Sequence, residues 1–295
     1  MQIEIYSPTI RRKEMDAVLT AMVEDKIGPG EQAKFLIQTA KEKIKFDYCI
    51  ALRSPAIALY LALKALDLKQ GEGVAVSALS PVYYDRVIRG MGLNPIYCDV
   101  LSSAAFVGRE TVEKALESNR AEIPSAKCIV LHHTLGFVPD LSAIGELGIP
   151  IIEDCSQSYG TAFRTDTEEE AVEFNTGSAG VFSILGLEER DMLTSGGGAL
   201  LFAMNRRDAS LLRTWSNIPP EYCLPDINAA LAVVQFREAA RNAIRRGEIA
   251  HSYTQASLRT KHKRFIPPDR KSTDQRSEDG VEYNNYAFPL VLETG

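Results

Sequence analysis

CIVLHHTLGFVPDLSAIGELGIPIIED, residues 128–154, holds the repeating unit of the fold. Cys128 to His132, apolar up to Leu131, reads as a strand. Leu141 to Leu147 reads as a short helix, and Pro150 to Glu153 as the next strand. Strands that are apolar along their whole length, joined through helices, belong to a mostly parallel sheet covered on both faces.

The same alternation extends upstream. Tyr48 to Ala51 reads as a strand, and Ser54 to Leu68 as a helix apolar on both faces, so it belongs inside the core. Val74–Ser77 and Pro95–Asp99 are further strands. Val82–Met91 and Glu110–Ser118 are further helices. Downstream, Val181–Ile184 and Ala199–Phe202 predict two more strands, placed as a meander at the sheet edge. Helices over Arg206–Trp215 and Asp226–Tyr253 follow.

Two helices precede the alternation. Met15, Val18, Leu19 and Met22 recur at helical spacing, with Thr9 or Ser7 as the expected cap. Gly28-Pro-Gly30 ends that helix. The next runs from Glu31 to Lys45, with Ala33, Leu36, Ala40 and Ile44 on one face. Arg164 to Glu173 is acidic and reads as a solvated loop. Lys261 to Glu282 is polar and reads as a linker, before a last apolar piece at 286–292.

Composition excludes some function classes. The net charge of −6 argues against a nucleic-acid-binding body. No apolar stretch reaches the length of a membrane span, and the first residues lack a signal pattern. Cys49, Cys98, Cys128, Cys155 and Cys223 are scattered, and read as reduced thiols of a cytoplasmic protein. The 33 cations are 13 lysines and 20 arginines, with no lysine between Lys127 and Lys261.

Isolated motifs say little. Ser195-Gly-Gly-Gly198 is not followed by a helix, so it reads as a tight turn rather than a phosphate loop. His132 and His133 are adjacent on a strand and point to opposite faces, so no metal site is expected. The basic stretch from Arg259 to Arg264 reads as surface. Glu153 and Asp154 end a strand, where open α/β sheets place their ligands. The alternative for that pair is a solvated strand end.

Longer stretches carry a resemblance. They are SPAIALYLAL (54–63), GEGVAV (71–76), GLNPIYCD (92–99), LHHTLG (131–136), IEDCSQSYG (152–160), GSAGVFS (177–183) and DINAALAVVQF (226–236). In order and rough spacing they resemble the DegT/StrS family of pyridoxal-phosphate-dependent sugar aminotransferases, of fold type I. The resemblance implies a three-layer α/β/α sandwich with a mostly parallel central sheet and a shortened C-terminal small domain. Residues 1–247 would form the N-terminal helices and large domain, and 248–295 a partial small α+β domain. It also implies a cofactor site. Asp154 would hold the pyridine nitrogen and Gln157 would lie beside the ring. Ser183 and the helix start at Ser54 and Ala56 would face the phosphate, and His133 would sit near the substrate pocket. A homodimer and a nucleotide-sugar ligand are further implications.

The chain departs from that family where the chemistry resides. FSILGLEERDMLTSGGG (182–198) puts Glu188 or Arg190 at the position of the Schiff-base lysine, depending on the direction of counting. Neither is an amine nucleophile. The histidine of dehydrating relatives has no counterpart either, since no histidine lies between His133 and His251. Pro55 removes a backbone donor and Ala56 a hydroxyl from the phosphate end. PPEYC (219–223) brings Glu221 where the family lends an asparagine to the partner's phosphate.

Three readings follow. The chain is a homologue that does not transaminate by the lysine mechanism, and binds a nucleotide sugar or a partner protein. Or it is an enzyme holding pyridoxal or pyridoxamine phosphate non-covalently, through Asp154, Gln157 and Ser183. Or it is one subunit of a hetero-oligomer whose intact paralogue supplies the chemistry. The first is favoured, and no residue is assigned a catalytic role.

Overall fold

Alternate residues along each strand point to opposite faces, and this splits the core between two helical layers. The chain is described from a computed structural model over residues 5–101, 104–121, 123, 126–167, 170–215, 217–261, 263–264 and 279–291. Two helices open it, α1 (Arg12–Val23) and α2 (Glu31–Ile44). Then come β1 (Tyr48–Leu52), α3 (Pro55–Ala65), β2 (Gly73–Ser77), α4 (Tyr83–Gly90), β3 (Asn94–Cys98) and α5 (Arg109–Ser118). The next elements are β4 (Ala126–His132), α6 (Leu141–Gly145), β5 (Ile151–Asp154), β6 (Ala162–Thr167) and β7 (Glu170–Asn175). They lead to β8 (Phe182–Gly186), β9 (Ala199–Ala203), α7 (Arg206–Arg213) and α8 (Asp226–Ser257). Short strands β10 (Lys263–Arg264), β11 (Asp279–Glu282) and β12 (Leu290–Val291) follow.

Seven strands form the central sheet in the order β1-β9-β8-β5-β4-β2-β3. The β3, β2, β4, β5 and β8 neighbours pair in parallel, and β9 runs antiparallel to both β8 and β1. One face carries Val74, Val76, Val130, Ile152, Phe182 and Ile184 against α3, α4 and α7. The other carries Ala75, Ile129 and Ile151 toward α5 and α6, and Leu200 and Phe202 toward α2 and α8. This is the sandwich that the apolar strands predicted.

Several expectations are corrected. β8 and β9 are not a meander at the edge, because β1 pairs with β9 and takes the edge itself. Periodicity identifies a strand but not its neighbours. The described residues of the acidic stretch at 164–173 lie in strands. β6 pairs with β7, and β11 adds to β6, making a three-stranded sheet. Phe163, Thr165, Val172 and Phe174 favour strands, and backbone pairing tolerates the acidic residues between them.

The α1 stripe faces outward, with Met15 51%, Leu19 55% and Met22 51% exposed. The buried positions of α1 are Glu14 and Ala21, and Glu14 accepts from Gln235 Nε2 of α8 at 3.1 Å. The N-cap is Arg11 rather than Thr9 or Ser7. Finally, the polar stretch from Lys261 includes β10 and β11, while its residues 265–278 lie outside the described part. Residues 247 and 248 both lie within α8.

Candidate functional site

Parallel strands bring their C-terminal ends to one edge of the sheet, and Asp154 ends β5 there, fully buried. Its side chain lies on the face that carries Ile152 and Ile184. The helix that follows β2 starts at the same edge on that face. The first two residues of α4 therefore reach it. Tyr84 Oη donates to Asp154 Oδ2 at 2.6 Å, and Tyr83 Oη donates to the same oxygen at 3.1 Å. Oδ1 accepts from the Ser156 backbone N–H at 3.0 Å and from the Ser156 hydroxyl. Ser156 Oγ in turn accepts from Gly186 N at 2.7 Å, tying the site to the end of β8. Both oxygens of Asp154 are engaged by the chain itself.

Burial and the Asp154 carboxylate hold both phenols far above their ordinary pKa, so they remain donors. A second carboxyl belongs to the same cluster. Asp191 follows β8, and its Oδ2 accepts from Glu188 N at 2.8 Å. A side-chain carbon on Gly186 would collide with Asp191 Oδ2, so that glycine admits the carboxyl. Burial and the nearby Asp154 charge raise Asp191 from 3.8 to about 7.

That shift has a sign for stability. A carboxyl raised on folding binds its proton more tightly in the native state. Its contribution is complete below pH 4 and is lost as pH rises through 7. Asp191→Asn removes this dependence. Relative to wild type, the variant is expected to gain about 1–3 kcal/mol between pH 5 and pH 8. Urea unfolding at the two pH values measures it, and an equal difference at both would refute it.

The other residues singled out by sequence are dispersed. β8 register sets Ser183 beside Glu153 and Ile184 beside Asp154, so Ser183 and Asp154 take opposite faces. Ser183 Oγ donates to Gly177 O at 2.7 Å. Gln157 Oε1 accepts from Leu135 N at 2.8 Å, holding a residue with φ of +59°. Ser54 caps α3, accepting from Ile57 N at 3.3 Å, with Pro55 and Ala56 in the first turn. β1 lies three strands from β5 in the sheet order, on the order of 14 Å at ordinary strand spacing.

His133 is buried, with Nδ1 2.7 Å from Ser158 Oγ and Nε2 3.6 Å from Glu153 Oε1. His132 is also buried, and burial lowers its pKa, so its ring is neutral. Glu153 turns toward the loop before β8. It accepts from Gly177 N at 2.6 Å, Ala179 N at 3.1 Å and Gly180 N at 3.3 Å. The acidic pair thus divides, with Glu153 locking a loop and Asp154 facing α4. Glu188 and Arg190 are exposed, and the Arg190 guanidinium lies 5.7 Å from the centre of the Tyr6 ring.

Tyr83, Tyr84, Ser156 and Asp191 did not stand out in the sequence. One signal was available for the tyrosines. They open a helix directly after a parallel strand, and such positions sit at the ligand edge of the sheet.

Comparison with known proteins agrees with this architecture. Among solved structures, the aminotransferase TlmJ from Streptoalloteichus hindustanus matches with a TM-score of 0.79 at 21% identity, over 98% of this chain and 78% of that one. The sugar aminotransferase Spr1654 from Streptococcus pneumoniae, in its PLP form, gives 0.82 at 18% identity, over 99% and 79%. Helicobacter pylori PseC, an aminotransferase of pseudoaminic acid biosynthesis, gives 0.76 at 15% identity, over 99% and 78%. At these identities the likeness establishes the fold. Residues 8–288 match the family model described as the DegT/DnrJ/EryC1/StrS aminotransferase family. With that match spanning most of its length, and with the sheet order found here, the chain belongs to the DegT/DnrJ/EryC1/StrS aminotransferase family.

Proposed function

We propose that this chain is a family member that does not transaminate by the lysine mechanism, and that it binds a nucleotide sugar or a partner in sugar-nucleotide metabolism. The observation that carries the reading is the closure of Asp154. A pyridinium nitrogen needs a free acceptor position on the carboxylate, whose two oxygens offer about four. Here Oδ2 accepts from two buried phenols and Oδ1 from the N–H and hydroxyl of Ser156. The residues present therefore do not fit pyridoxal phosphate at its nitrogen. Nor do they fit at its aldehyde, since residues 128–260 hold no lysine. Ser183 is committed to Gly177, and Pro55 opens the α3 turn without a donor.

Titration with pyridoxal phosphate and pyridoxamine phosphate, followed by absorbance, tests this. The expected result is no stoichiometric band, and no borohydride-trapped adduct at a single lysine. A one-to-one band with pyridoxamine phosphate would overturn the reading in favour of an enzyme with a non-covalent cofactor. We assign a cytoplasmic homodimer as the working form. The exposed stripe of Met15, Leu19 and Met22 on α1 supports burial against a second copy. Co-purification with an intact paralogue would instead favour the hetero-oligomer.

A further inference from the structure

A cavity of about 290 Å³ lies between the N-terminal segment, the loop after β8, α8 and Tyr286. Its lining is rich in guanidinium groups. Arg11 comes from the segment before α1, Arg190 from the loop, and Arg245 and Arg246 from α8. Only part of this charge is answered. Arg245 pairs with Glu248 at 2.7 Å, outside the cavity lining. Arg246 Nη1 donates to the Tyr286 carbonyl at 3.4 Å, and burial lowers its pKa. Arg11 Nη1 is buried with no hydrogen bond among the described residues, and so is Asn242 Oδ1. The acidic lining consists of Glu189, which is exposed, and Asp191.

Converging cations repel one another, and the repulsion grows as water is excluded. A buried guanidinium with an unmade hydrogen bond adds a desolvation cost. Both costs fall if an anion occupies the space. The guanidinium fork matches phosphate oxygens in pairs, which an ammonium cannot do. The volume lies at the lower end of ligand pockets, large enough for a phosphate with a small substituent.

We propose that this cavity is a binding site for a phosphoryl group, held by Arg11, Arg190 and Arg246. The site borders the Asp154 cluster at Asp191, but none of the three arginines belongs to that cluster, so the proposal does not depend on its reading. Its source is either free phosphate or a small phosphomonoester.

Calorimetric titration of the full chain with inorganic phosphate tests the site, with chloride at matched ionic strength as the control. The expected result is saturable binding of one phosphate per chain, weakened tenfold or more by Arg11→Gln and by Arg190→Gln. Arg190 is exposed, so its variant keeps the test valid if Arg11→Gln fails to fold. A parallel titration uses a sugar 1-phosphate. Tighter binding of the ester supports the site with an organic ligand, and equal binding supports it with the phosphate alone. Absence of saturable heat from both probes would overturn the proposal. So would equal heat from chloride, or phosphate affinity unchanged in folded variants.

Discussion

Replacing Glu153 by alanine is expected to destabilise the chain by about 3–5 kcal/mol. The carboxyl is fully buried and is the acceptor for the N–H groups of Gly177, Ala179 and Gly180. Alanine would leave those donors without this partner, beside an emptied volume. It would also free the loop that sets the start of β8, and with it the strand that leads to Asp191. Glu153→Gln keeps the volume and one acceptor oxygen, so it should cost less, about 1–3 kcal/mol. Equilibrium unfolding in urea would show the graded loss as a falling midpoint at constant slope. Equal midpoints for the two variants would show that the loop does not depend on those bonds.

Gly180→Ala is expected to cost about 3 kcal/mol or more. A Cβ at this position would stand 2.7 Å from Phe182 O, 2.9 Å from Ile151 O and 3.1 Å from Glu153 N. All three are backbone atoms at the junction of β5 and β8. That junction is fixed by pairing, with Val181 N donating to Ile151 O at 2.8 Å. A flexible side chain could move aside, but this backbone cannot without breaking the parallel ladder. Gly28→Ala is a useful contrast, because nothing lies within 4 Å of a Cβ there. It should change stability by less than about 1 kcal/mol. Similar thermal midpoints for the two variants would contradict the packing argument.

Much of the sheet was legible because a buried parallel strand leaves a local mark. Val74–Val76, Cys128–Leu131 and Ala199–Phe202 are apolar without interruption, and each lies within a strand of the central sheet. Asp154 was legible for the same reason, as the first carboxylates after such a run fall at the sheet's C-terminal edge. The pairing of β6 with β7 was not, because charged side chains masked backbone pairing. The orientation of α1 was not legible either. Helical spacing identifies a stripe but not what it meets, and Met15, Leu19 and Met22 face away from this chain's core.

The sequence by itself determined the α/β alternation, the family resemblance and the absence of any lysine in residues 128–260. Each is a property of residues near one another in the chain, or of simple counting. Only the tertiary structure decided what Asp154 faces. Tyr83 and Tyr84 lie 71 and 70 residues before it, and a crossover from β2 through α4 brings their hydroxyls to its carboxyl. The arginine-lined cavity was decided in the same way. Arg11, Arg190 and Arg246 come from three separate segments, and no local pattern records that they converge. Periodicity reports the surroundings of a residue along one element, whereas a site is made where elements cross.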